Sequence, residues 1–179
     1  MLVKEAHAVV IFPAGFEPLD EGFEVLTLVQ IVKTDPSPIV CLETSGGTYW
    51  EGMMKFLRSQ LVPRGFIHSS DLCLFKVAHS AEEAANEIAT FFRNYHALSM
   101  VGRRMVLRLQ SSLSAGQLLQ LNEEFPVIVA YGQYEQIEKL PEEDDPLEFV
   151  HLPRLAFYFN WKELGRLRQC IDWLNSCSF

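Results

Sequence analysis

Apolar residues in the first half of the chain fall into short continuous runs. Between the runs lie longer segments where they recur every three or four positions. Residues 8–12 form the first run and read as a strand buried on both faces. A tight loop follows, and then Leu19, Phe23, Leu26 and Val29 or Gln30 share one face of a helix running to about Val32. Pro18 fits the first turn of that helix, where a missing N–H does little harm. Residues 38–42 predict a second buried strand, followed by a glycine loop at 44–47. Thr48 is then expected to cap a helix from Tyr49 to about Leu61, with Trp50, Met53, Met54 and Leu57 facing inward. Residues 74–77 predict a third strand. Ser80 and Glu83 have capping-box spacing for a helix from Ala81 to about Phe92. Strands alternating with helices predict an α/β fold with a parallel sheet and right-handed crossovers.

The texture changes after about Tyr95. Residues 101–109 read as one strand. Residues 114–124 read as a short helix with Leu118, Leu119 and Leu121 on its apolar side. Residues 127–131 and 154–159 read as further strands. The segment 138–146 is acidic and bracketed by Pro141 and Pro146, the pattern of a solvated loop. Asn160 with Glu163 predicts the cap of a last helix over 161–174, whose inward face is Leu164, Leu167, Ile171 and Leu174. The β-α-β-β-α order predicts a small α+β extension over 97–179, behind an α/β domain over 1–96.

Hydrophobic residues make up 49% of the 179 and charged residues 21%, enough to build a core and too few charges for global disorder. The formal net charge is −8, which repels a phosphate backbone, so nucleic acid is not an expected partner. No apolar run approaches the roughly 20 residues of a membrane span, and the N-terminus lacks a secretory pattern. A cytoplasmic protein with no membrane partner is expected. Cys41, Cys73, Cys170 and Cys177 are widely spaced, which predicts buried free thiols and no zinc site. His7, His68, His79, His96 and His151 are scattered and read as structural or solvent-facing. No metal and no cofactor is expected. Ser45, Ser69 and Ser70 form no nucleophile elbow. Arg103, Arg104 and Arg108 alternate along the predicted strand and read as a solvated face.

In a parallel sheet ligands gather beyond the C-terminal strand ends, where the loops 13–18 and 44–47 lie. A loop entering a helix presents free amides and the positive end of the helix dipole, a setting for phosphate. An acid just inside that helix, Asp20 or Glu21, is placed to act on the sugar or base of a bound nucleotide. Gly46 and Gly47 are either an ordinary flexible turn or a second ligand contact.

The stretch Pro13-Ala14-Gly15-Phe16-Glu17-Pro18-Leu19-Asp20-Glu21, with Gly22-Phe23-Glu24-Val25-Leu26-Thr27-Leu28-Val29-Gln30 behind it, resembles the LOG (Lonely Guy) family, long labelled possible lysine decarboxylase. The family signature is P-G-G-x-G-T-x-x-E. The resemblance continues through 38–43, Gly46-Gly47-Thr48-Tyr49-Trp50 and 75–83. The tail beyond about Met100 is similar to an extension in some bacterial members.

The resemblance implies a partial Rossmann-like sheet, the C-terminal half of a LOG domain. It also implies hydrolysis of the N-glycosidic bond of a nucleoside 5′-monophosphate, giving free base and ribose 5-phosphate, as in cytokinin activation. It makes Glu21 the catalytic acid-base carboxylate. It makes Pro13, Ala14, Gly15, Phe16, Glu17 and Pro18 the phosphate loop, and the chain a homo-oligomer, a dimer by type.

Three departures qualify this expectation. Ala14 replaces the second glycine, at a cost of about 1 kcal/mol if the position needs φ > 0. Glu17-Pro18 replaces Gly-Thr, bringing a negative side chain and removing an amide and a hydroxyl. The family's Arg-Lys pair and glycine-rich first half have no counterpart, which reads as N-terminal truncation and leaves a sheet edge unpaired. The nucleotide is therefore expected to bind weakly or not at all. Two readings stay open: an impaired phosphoribohydrolase, or a non-catalytic remnant serving as a structural and oligomerisation module.

Overall fold

A computed structural model describes residues 6–31, 34–143 and 146–179. The chain forms two compact units, Met1–Thr90 and Phe91–Phe179.

The first unit contains three parallel strands in the order β1 (Val9–Ile11), β2 (Ile39–Leu42), β3 (Phe75–Ala78). Its helices are α1 (Phe16–Gln30), α2 (Tyr49–Phe56) and α3 (Ala81–Phe91). This is the predicted α/β arrangement with a parallel sheet. Alternation along β2 explains its layers. Ile39 and Cys41 join Val25, Val29, Trp50 and Leu57 in one apolar cluster, while Val40 joins Ala84 and Ile88 in another. Helices α1 and α2 thus cover one face and α3 the other, so β2 is buried on both sides.

The same expectation fails for β1. Val10 is 37% exposed and Phe12 59%, because β1 is an edge strand among the described residues. Helix α1 approaches β1 closely: a Cβ on Gly22 would come within 2.9 Å of Ile11 Cδ1. Its buried stripe is Gly22, Val25 and Val29, with Leu19 and Leu26 packed beside it. Phe23, expected inward, lies off this stripe and is exposed. The predicted helix end at Val32 falls outside the described residues. After α2 the helix widens into a π-helical segment, Leu57–Leu61, and a 3-10 turn, Val62–Arg64, which Gly65 ends at φ 70°. The predicted capping pair of α3 forms, with Ser80 Oγ accepting from the Glu83 amide and Glu83 accepting from the His79 amide.

The second unit is a four-stranded antiparallel sheet, β4 (Tyr95–Val101), β5 (Arg104–Leu109), β6 (Val129–Ile137) and β7 (Arg154–Phe159), in the order β4-β5-β7-β6. Helices α4 (Ala115–Glu124) and α5 (Leu164–Ser176) accompany it. The single strand expected over 101–109 is in fact the second half of a hairpin. Gly102, at φ 60°, turns the chain between β4 and β5. The order is therefore ββαββα, one strand richer than the sequence reading. Ser114 and Gln117 form a capping box on α4, and Leu121 is buried, but Leu119 is 62% exposed. The inward face predicted for the last helix holds: Leu164, Leu167, Ile171 and Leu174 are all buried. That helix begins at Leu164, three residues later than its predicted start at Trp161.

The acidic segment is not uniformly solvated. Glu143 folds back and is buried against Arg154, with Oε2 3.0 Å from Nε. The Arg154 guanidinium also donates to the carbonyls of Phe149 and Leu152, and Glu143 accepts from the Leu140 amide. Asp144 and Asp145 lie outside the described residues. Of the basic stretch read as solvated, Arg104 pairs with Glu135 and Arg108 donates to His96 Nδ1 at 3.0 Å.

Candidate active site

The candidate site sits where β1 runs into α1. Gly15 is the N-cap, in extended conformation at φ −78°, and no side chain caps the helix. Phe16, Glu17 and Pro18 occupy the first three helical positions, so Pro18 lies in the first turn as expected. Ala14 is not among the described residues with positive φ, so its Cβ costs nothing here and the strain considered for that position does not arise.

A helix start offers four backbone N–H groups without intrahelical partners. Proline at the third helical position reduces that set to three, and Glu17 is the acidic residue of this first turn. Phe16 is 93% exposed and Glu17 is exposed. A carboxylate in this turn interacts favourably with the helix dipole.

A concavity of about 650 Å³ opens between the β1 edge and α1. Of the predicted site residues, Ala14, Pro18 and Glu21 line it, together with the apolar Val10 and Phe12. Pro13, Gly15, Phe16 and Glu17 do not. Glu21 is exposed and has no hydrogen-bond or ion-pair partner among the described residues. Glu24, one turn further along α1, lines the same concavity.

The second glycine loop, at the end of β2, proves to be occupied by the protein itself. Glu43, missed by the sequence reading, is buried at the base of α2. Its Oε2 accepts from the Trp50 amide at 2.9 Å, and its Oε1 accepts from the Thr44 amide at 3.0 Å. Thr48, the expected cap, makes no capping bond through its side chain. Gly47 is required by this arrangement, because a Cβ there would collide with the Glu43 carboxylate and the Thr44 hydroxyl. Gly46 adopts φ 72°, a turn conformation. The Gly46-Gly47 pair thus serves an internal anion. The loops after β1 and β2 are joined by the Tyr49 hydroxyl, which donates to the Ala14 carbonyl at 2.7 Å.

The Trp50 amide, with the Thr44 amide and hydroxyl, holds the Glu43 carboxyl below the usual carboxylate range, against the opposing effect of burial. A depressed carboxyl pKa stabilises the fold fully above the unfolded value, about 4.3, and that stabilisation is lost as pH falls through the lower folded value. Glu43→Gln should therefore flatten the acid limb. Its melting temperature is expected to fall less than that of the unsubstituted chain from about pH 5 to about pH 3. Parallel acid limbs in a thermal-melt series would refute the capping role.

Burial pushes the Cys41 thiol up to about 12, and Cys170 likewise to about 12. Both are buried free thiols, as expected, whereas Cys73 and Cys177 are free but only half-buried. No helix among the described residues is long and apolar enough to cross a membrane.

Residues 1–88 match the family model described as "Possible lysine decarboxylase". No curated protein matches the chain.

Proposed function

Because its residues 1–88 belong to the possible lysine decarboxylase, or LOG, family, we propose that the first unit is a nucleoside 5′-monophosphate phosphoribohydrolase site whose phosphate grip has been dismantled. The observation that carries this reading is the first turn of α1. Glu17 and Pro18 stand where the family signature has glycine and threonine. A like charge and a lost charge-assisted hydrogen bond each cost about 1–3 kcal/mol of phosphate binding. Together they weaken binding on the order of a hundredfold or more.

Glu21 retains the chemistry of an acid-base carboxylate. It lines an open concavity, and its reach toward a glycosidic bond depends on a substrate held in place by its phosphate. At the neighbouring helix start the Trp50 amide is already taken by Glu43 and is not open to an anion. The expected consequence is a chain that retains the family's scaffold and carboxylate without its turnover. Purified protein incubated with AMP should release no ribose 5-phosphate at an ordinary enzymatic rate. Release that disappears in Glu21→Gln would overturn the proposal.

The reading as a structural and oligomerisation module draws on a separate observation. The exposed β1 edge, with Val10 and Phe12 beside the concavity, has the apolar character of a surface that pairs with further strands.

A further inference from the structure

The second unit carries a cleft of about 580 Å³ that the first-unit chemistry does not use. It lies between the β4–β5 turn, the start of β6 and the residues following β7. Its size falls within the usual range for small-molecule sites. Tyr131 stacks on Tyr158 with ring centroids 4.1 Å apart and 22° between planes, yet Tyr131 remains 49% exposed. Trp161, beside them, is 53% exposed.

Two backbone irregularities hold these rings in place. Among the described residues Trp161 is the one non-glycine residue with positive φ, at 61°, a conformation costly for a bulky side chain. Asn160 pins that turn, its side-chain Oδ1 accepting from the Lys162 and Glu163 amides and its side-chain Nδ2 donating to the Val127 carbonyl. The β6–β7 register shifts on both sides of Tyr131, and Gly132 adopts φ 77°. Such bulges re-aim side chains and gather at functional sites.

The charge at the cleft has one sign. Arg103 lies 5.8 Å from the Tyr131 ring centroid, and Lys162 follows Trp161 in the wall. Neither has an ion-pair partner among the described residues, and no carboxylate lines the cleft. Arg104, by contrast, is neutralised by Glu135. Flat exposed rings call for a planar partner, and two unneutralised cations call for an anion. The net charge of −8 opposes a polyanion and leaves room for a small one.

We infer that this cleft binds a planar aromatic ligand carrying one anionic group, phosphate or carboxylate, with the ring on Trp161 and the anion on Arg103 and Lys162. The inference is independent of the reading of the first unit.

Calorimetric titration of the full chain tests it, with AMP as the probe and adenosine and ribose 5-phosphate as controls. AMP should bind at least about tenfold more tightly than either control, since each lacks one of the two contacts. Trp161→Gly removes the ring and suits the positive φ, so it should abolish AMP binding while the melting temperature holds or rises. Arg103→Ala with Lys162→Ala should reduce AMP to the level of adenosine. Loss of the AMP heat in these second-unit variants, none of which touches the α1 loop, separates the cleft from any site on α1. No heat with AMP at millimolar concentration would overturn the inference, as would unaltered binding by Trp161→Gly. Self-association lost in Trp161→Gly without AMP binding would also overturn it and assign the patch to a second copy of the chain.

Discussion

Arg154→Ala is expected to destabilise the second unit by about 3–5 kcal/mol, the largest loss for any single substitution considered. Arg154 is fully buried, and its partner Glu143 is nearly so. Removing the guanidinium leaves a carboxylate enclosed without a counterion, and it strands carbonyls of the 149–152 turn that now accept from Arg154. The effect comes from the uncompensated charge, more than from the strength of the pair itself. The double substitution Arg154→Met with Glu143→Leu should therefore recover most of the loss. Chemical denaturation of the unsubstituted chain and the two variants decides the matter. A cost below about 1 kcal/mol for Arg154→Ala would mean that the pair behaves as an ordinary surface salt bridge.

The second large effect concerns the α1 loop. Glu17→Gly with Pro18→Thr should tighten AMP binding to the first unit by about a hundredfold, because it removes the competing carboxylate and restores an amide and a hydroxyl. Ala14→Gly alone should change nothing, since Ala14 does not adopt positive φ. The titration belongs in a Trp161→Gly background, so that the second-unit cleft contributes no heat. Equal affinity before and after the two substitutions would show that Glu17 and Pro18 are not what weakens the grip.

Much of this was legible in the residues. The 3.6 period of the last helix picked out Leu164, Leu167, Ile171 and Leu174, because a helix on a sheet buries one stripe whatever its partner. Ser80 with Glu83 announced a helix start through bonds closed within four residues, and the run 38–42 announced a strand covered on both faces. The order of strand, loop and helix placed residues 13–18 at the start of α1 and offered Asp20 or Glu21 as the acid; only the resemblance singled out Glu21.

What escaped depended on neighbours far along the chain. Nothing local distinguishes β1 from β2 as apolar runs. The exposure of Val10 follows from edge position, which sheet order decides. Glu43 looks like a surface acid at a strand end. It becomes a helix cap because the Gly46-Gly47 turn folds α2's first amides back onto it. Glu143 and Arg154 are separated by a proline-bracketed acidic stretch, and no periodic signal links them. The β4–β5 hairpin was missed because Arg103 and Arg104, at its turn, fit the alternation of a continuous strand; the informative residue was Gly102.

The site differs from the fold in one respect. Its identity rests on residues that match the family signature, and its proposed weakness on two that do not. Both sets lie within one turn of Gly15 or just beyond it, so a single local measurement reports on the proposal. The backbone amide shifts of Phe16 and Glu17, followed by NMR as AMP is added, read phosphate contact at the α1 start without interference from elsewhere. Both amides should stay unmoved at millimolar AMP in the unsubstituted chain and shift on titration in Glu17→Gly with Pro18→Thr, where the amide at position 17 belongs to the new glycine. Saturable shifts of Phe16 and Glu17 in the unsubstituted chain at micromolar AMP would contradict it, and would mean that the phosphate grip of α1 is intact.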